Sequence, residues 1–211
     1  MAGSSGCIPV IGLIGGIGSG KSHLARQLAL RRRVVVVNAD QIGHEILMQL
    51  QVRSEIRREF GDTVFAADGE VDRRRLGARV FGPESSESRK KLDAIMHPRI
   101  AAVMEQEIAQ ARKTPGVELV VVDAALLLEA GWRTQCDLVV FVNCAFEERL
   151  SRVASTRGWS ADELRRREAS QWPLERKRAE ADAEVDNSST GRAVEELEQL
   201  LNVRLTRVSA G

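Results

Sequence analysis

The sequence predicts an α/β protein: a parallel five-stranded sheet covered on both faces by helices. Three observations carry that expectation. Runs of consecutive apolar residues recur at Ile8–Ile14, at Val34–Val37, in "VELVVVD" ending at Asp123, and at Leu138–Val142. Such runs suit strands buried on both faces. Longer segments of helical periodicity lie between them, and the first run passes through a glycine-rich turn straight into a helix, as a β–α unit does.

Each element follows in order. The first strand, Ile8–Ile14, leads to a helix over Lys21–Leu30 with Leu24, Leu28 and alanines on one face. The second strand, Val34–Val37, is too uniformly apolar for a half-exposed position, and Asn38 and Asp40 lie at its carboxyl end. Residues 41–60 predict one helix stopped by Gly61. The third strand ends at Asp123 and the fourth is Leu138–Val142. A helix from Phe146 to about Arg157 and a charged helical stretch from Ser160 to Glu180 follow. "AEVDN" supplies a short fifth strand, and Ala193–Leu201 a last helix. Parallel sheets bind ligands at the carboxyl ends of their strands, and Lys21, Asp40, Asp123 and Glu129 all fall just past such ends.

The turn after the first strand reads "GLIGGIGSGKSH", giving G-x-x-x-x-G-K-S from Gly15 to Ser22. This is the P-loop pattern. Its glycines let the backbone curl until successive N–H groups face phosphate oxygens, where a Cβ would crowd. The following helix adds the positive end of its dipole. Gly16, Ile17, Gly18, Ser19, Gly20, Lys21, Ser22 and His23 are therefore expected at ATP. Lys21 reaches the β and γ phosphates, and the Ser22 hydroxyl ligates Mg²⁺.

Composition narrows the setting. The 211 residues suffice for one sizeable core, and 31 basic against 30 acidic residues give no global electrostatic case for nucleic acid or a membrane surface. No apolar run approaches the roughly 20 residues of a membrane helix. Cys7, Cys136 and Cys144 are too scattered for a metal pattern, and their odd number argues against a disulfide framework. Reduced thiols in a cytoplasmic protein are expected. "MAGSSG" lacks a signal-peptide layout and reads as a loose N-terminal extension.

Residues 61–115 interrupt the strand–helix alternation. By analogy with other P-loop kinases, an insert between the second and third strands holds the acceptor. One kinase domain is expected over residues 1–211. Segments 8–60, 116–150 and 181–211 form its nucleotide-binding core, 61–115 the acceptor insert and 151–180 a lid. A GTPase switch fails at "DAAL" and "NCAF", where D-x-x-G and N-K-x-D would stand, and the intact Lys21, Ser22 and Asp40 argue against a degenerate binding module.

Nearly the whole chain resembles the dephospho-CoA kinase family, motif by motif. "NADQIGHEI" is similar to the family's D-A-D segment, and "FGDTVFAADGEVDRRRLGARVF" to its F-G, D-G-x-x-D-R and V-F stretch. "LDAIMHPRI" resembles L-x-x-I-x-H-P-x-I, and "DAALLLEAGW" resembles P-L-L-F-E. "RREASQWPLERKRAEADAEVDNSS" resembles the closing stretch with Gln171, Lys177, Asp182 and Asn187. The chain departs at His23 for Thr, Asn38 for the first Asp of D-A-D, and Ala125 and Leu128 for Pro and Phe. Its spacing from Arg152 to Arg157 is one residue longer than the family pattern.

The resemblance implies ATP-dependent phosphorylation of the ribose 3′-hydroxyl of dephospho-CoA, with Mg²⁺, in a monomer or weak homo-oligomer. A hydroxyl is a weak nucleophile, so a carboxylate must orient or accept its proton. Asp40 is placed to do so, although it also suits a helix cap. Asp123 stands where a carboxylate would hold Mg²⁺, with capping as its other reading. His97 precedes Pro98, which disfavours helical geometry and marks a break between helical pieces. The resemblance carries His97, Arg73, Leu126 and Arg167 to the acceptor, and Asn187 to a loop beside adenine. Segment 147–178 holds nine Lys/Arg against six Asp/Glu. Most of these are solvated charges, but Arg152, Arg157 and Arg167 are candidates to close over phosphate. A kinase of another nucleotide or small hydroxylated acceptor remains the alternative.

Overall fold

A computed structural model describes residues 8–81, 85–188 and 191–208. Cys7, the N-terminal extension and part of the "GPESSES" break lie outside these residues. The described chain forms two compact units, one from the residues through Asn38 and from Glu107 onward, the other Ala39–Gln106.

The first unit holds the sheet. Strands β1 (Val10–Ile14), β2 (Val34–Asn38), β3 (Leu119–Asp123), β4 (Leu138–Asn143) and β5 (Ala183–Asp186) pair in the order β2-β3-β1-β4-β5, every pair parallel. Alternate residues Ile11, Leu13, Leu119, Val121, Val140, Val142 and Val185 meet Leu24, Leu28, Leu197 and Leu201 in one core. That core packs helices α1 (Lys21–Arg31) and α9 (Ala193–Val208) onto one sheet face. On the other face Val10, Val120, Val122 and Val139 are also fully buried. A Cβ at Gly12 would lie 2.7 Å from Leu127 Cδ1 and 2.9 Å from Cys136 Sγ, so the chain after β3 lies close over β1. Contrary to the expectation of burial, β2 is an edge strand whose Val34, Val35 and Val36 are half-buried. With β3 on one side only, its apolar run covers a single flank.

The charged stretch 160–180 is not one helix. It divides into α7 (Ala161–Glu168) and α8 (Leu174–Ala179) around Pro173, which lacks the N–H needed to continue. Ser160 caps α7 by accepting from Glu163 N at 3.2 Å. Before it, α6 (Phe146–Arg157) ends at Gly158 in the left-handed region.

The second unit carries α2 (Ala39–Leu47), α3 (Leu50–Phe60), α4 (Arg73–Val80) and most of α5 (Ser86–Lys113). Residues 41–60 therefore break at Met48–Gln49 rather than forming one helix. The buried stripe explains why: Ile42 and Ile46 repeat every four residues, then Val52, Ile56 and Phe60 do so in a shifted phase. An unbroken helix would bury Leu50, which is exposed, in place of Val52. The expected break at His97-Pro98 is also absent, because α5 runs through Pro98. Met96, Ile100, Met104 and Ile108 form a buried stripe across the proline, and Arg99 Nη1 donates to Ile95 O at 2.6 Å. Burial of that stripe outweighs the hydrogen bond lost at Pro98.

Candidate active site

The loop from β1 to α1 curls as the spacing requires. Gly15, Gly18 and Gly20 have φ of 146°, 78° and 92°, and side-chain-bearing residues rarely adopt these values. A Cβ at Gly15 would lie 2.6 Å from Val142 O, one at Gly18 2.8 Å from Arg149 O, and one at Gly20 would run into Asn187 Nδ2. Lys21 opens α1 and is buried, its Nζ donating to Gly15 O at 3.2 Å and Gly16 O at 3.0 Å. Ser22 and His23 follow in the first turn, exposed. Ser19 is fully buried, and its Oγ makes no hydrogen bond among the described residues.

Two candidates brace the loop from outside. Arg152 Nη1 donates to Ser19 O at 3.2 Å, and its Nη2 to Asn187 O at 2.8 Å. Asn187 Nδ2 donates to Ser19 O at 2.7 Å, while its backbone N is held by Asn143 O at 2.8 Å. Both side chains thus hold the Ser19 carbonyl from outside the loop. Arg157 at the end of α6 and Arg167 in the last turn of α7 both stack on Trp159, at 4.8 and 4.3 Å from its ring centre. Arg167 Nε also donates to Glu163 at 2.7 Å.

Asp123 ends β3 in register with Leu13 of β1 and Asn38 of β2, and is 5% exposed. Asn38 Nδ2 donates to its Oδ2 at 3.4 Å. The Asp123 carboxylate and the Ser22 hydroxyl each offer oxygen, the donor type that suits Mg²⁺. Leu126 is half-buried in the turns that follow β3. Glu129, a second acidic group or an arginine's partner by its position, meets Lys177 Nζ at 2.9 Å and accepts from Trp172 N at 2.9 Å. Lys177, 1% exposed, also donates to Gln171 Oε1 and Ala125 O. This buried knot ties the segment after β3 to the base of the expected lid.

Within the second unit, Asp40 lies exposed in the first turn of α2 with His44 one turn on. Arg73 opens α4 behind its N-cap, Asp72. Burial and, next, the Arg73 charge hold the His44 imidazole below its ordinary pKa, against the pull of Asp40. His97 is half-buried on α5, its Nε2 3.4 Å from Asp93 Oδ1.

Three site residues, Arg149, Glu168 and His44, escaped the sequence reading, as did the pairing of two others. Arg149 and Glu168 meet at the loop itself, and no spacing rule separates Arg149 from eight other basic residues in segment 147–178. Glu129 and Lys177 were visible as positions, yet their pairing depends on folding across 48 residues of chain. His44 carried a signal, four residues after Asp40 on a helix.

A P-loop entering α1 on a parallel sheet of this order, with a buried carboxylate on the neighbouring strand, defines a P-loop kinase fold. The family model for dephospho-CoA kinase matches residues 9–192. A dephospho-CoA kinase of Thermobifida fusca is 39% identical over 85% of this chain and 88% of its own length. One of Rhodopirellula baltica is 38% identical over 95% and 91%. A crystal structure of a Thermus thermophilus protein superposes with a TM-score of 0.80 at 29% identity, over 95% of this chain and 99% of that one. A dephospho-CoA kinase structure from Campylobacter jejuni, 22% identical, shares the fold with a TM-score of 0.62 over 90% and 95%. This chain belongs to the dephospho-CoA kinase family.

Proposed function

We propose that the chain transfers the γ-phosphoryl group of ATP to the ribose 3′-hydroxyl of dephospho-CoA, giving coenzyme A and ADP. The family match over residues 9–192 supports the acceptor. The observation that carries the chemistry is the Gly15–Lys21 loop, whose glycines leave no room for side chains and whose carbonyls are held from outside by Arg152 and Asn187. Backbone amides fixed in this way grip phosphate without reorganising during transfer.

In this reading Gly16 to His23 bind ATP, and Lys21 leaves the Gly15 and Gly16 carbonyls to neutralise charge on the transferred group. Asp40 orients the acceptor hydroxyl and accepts its proton. Ser22 and Asp123 would hold Mg²⁺, which when bound screens the β and γ phosphate charge. Arg73, His97, Leu126 and Arg167 contact the acceptor. Arg157 and Asn187 border the nucleotide, and Arg152 joins catalysis by fixing the loop. Residues 151–180 act as a lid over a core of 8–60, 116–150 and 181–211, with 61–115 as the acceptor insert of a single kinase domain.

In this reading the protein is a cytoplasmic monomer or weak homo-oligomer, with Cys136 and Cys144 as free thiols and a near balance of charge. Purified protein with Mg·ATP and a panel of dephospho-CoA and nucleoside monophosphates tests the acceptor. Coenzyme A is expected as the main product. Faster turnover of a nucleoside monophosphate would replace this reading with the alternative acceptor.

A further inference from the structure

The last residue of α7 points at the phosphate loop. Glu168 Oε1 accepts from Ile17 N at 3.2 Å, and the same oxygen pairs with Arg149 Nη1. Arg149 is 4% exposed, with Nε donating to Cys144 O at 3.1 Å and Nη1 to Ile17 O at 3.3 Å. A Cβ at Gly16 would lie 3.1 Å from that Glu168 oxygen, so the carboxylate sits directly against the loop. One anionic oxygen thus engages both a loop amide and a buried guanidinium. Loop amides and guanidinium groups are both donors that bind phosphate well.

We propose that Glu168 is an internal stand-in for phosphate: its carboxylate holds the Ile17 amide and Arg149 until the triphosphate of ATP displaces it. The inference rests on the ATP reading of the loop and adds Glu168 and Arg149 to the residues that set nucleotide affinity. A buried guanidinium needs an anionic partner in every populated state. Glu168 serves in one state and a phosphate oxygen in the other. Because Glu168 lies on α7, the exchange also frees that end of the expected lid when nucleotide arrives. A ligand that must displace an internal anion binds more weakly by the free energy of the contact it breaks.

The test titrates the wild-type chain, Glu168→Gln and Glu168→Ala with ATP and with inorganic tripolyphosphate by calorimetry. Thermal unfolding of each is then recorded with and without saturating ATP. Removing the competing charge is expected to tighten Kd for both probes by roughly tenfold. The variants should melt below wild type without nucleotide, since Arg149 loses its partner, and the deficit should shrink with ATP bound. Unchanged Kd with an equal deficit in both conditions would make the contact a plain structural ion pair. Weaker binding in both variants would make Glu168 a holder of Arg149 for phosphate. Either result overturns the inference while leaving the ATP reading of the loop in place. Failure of wild type to bind either probe sinks the inference together with the ATP reading.

Discussion

The phosphate loop works through its backbone, whereas the unit Ala39–Gln106 offers its chemistry through side chains on helices. In the loop three glycines have positive φ, and the space where each Cβ would sit is already filled by Val142, Arg149 or Asn187. In the second unit Asp40, His44, Arg73 and His97 project from α2, α4 and α5, whose apolar faces are buried. A cradle of amides tolerates almost no change at its glycines. A helix face can exchange its polar residues while the buried stripe keeps the backbone in place. In the proposed reading the first site is rigid by construction, and the second is open to change of acceptor.

Substitutions probe that contrast. Lys21→Ala should lower kcat on the order of 10³-fold, since it removes charge stabilisation at the transferred group while emptying no apolar core. An unchanged melting temperature checks that the fold survives, and near-normal turnover would remove the loop from the chemistry. Asp40→Asn should slow transfer by about 100-fold and leave the Kd for ATP intact, the expected split for a residue acting on the acceptor. Equal rates would reduce Asp40 to a charge in the first turn of α2.

Two glycines form a matched pair. Gly20→Ala combines φ of 92° with a clash at Asn187 and should destabilise by about 1–3 kcal/mol, with weaker ATP binding. Gly43→Ala, inside α2, meets only Ile100 Cδ1 at 3.4 Å, ordinary contact. It should stabilise by about 0.5–1 kcal/mol through helix propensity. Chemical denaturation reads both, and equal effects would erase the distinction between the two units.

Pro98→Ala should raise stability by between about 1 and 3 kcal/mol by restoring a helix hydrogen bond. A lower melting temperature would mean that α5 needs the proline. The smallest effect concerns pH. His44 titrates below its ordinary pKa when folded, so the unfolded chain binds more protons in that window. Its contribution is intact above the unfolded value and falls away as pH drops through it, down to the folded pKa. His44→Gln should therefore lose less stability than the parent between about pH 7 and pH 5, and identical pH profiles would contradict this.

The same contrast decides what the amino-acid pattern could reveal. G-x-x-x-x-G-K-S is legible because backbone recognition of phosphate demands glycine at fixed spacing, and the buried β1, β3 and β4 are legible because both their faces are covered. Edge position is not: Val34–Val37 reads as buried, and only the strand order shows that one side of β2 lacks a neighbour. Pro98 and residues 41–60 misled for a related reason. Local rules place a break at the proline and none at Met48–Gln49, but the phase of the buried stripe decides both. Glu168 and Arg149 were illegible because their meeting depends on where α7 lands, not on any spacing between them. The knot at Lys177 was half legible: Gln171, Lys177 and Glu129 stood out singly, and folding joined them.

The central claim is that the loop delivers the terminal phosphate of ATP to one alcohol of dephospho-CoA. ATP labelled in its γ-phosphate, incubated with the protein, Mg²⁺ and dephospho-CoA, tests it most directly. The account predicts one label per acceptor, on the 3′-oxygen of the ribose, with little label released when the acceptor is withheld. Label found only as inorganic phosphate, or at any other position of the acceptor, would contradict it.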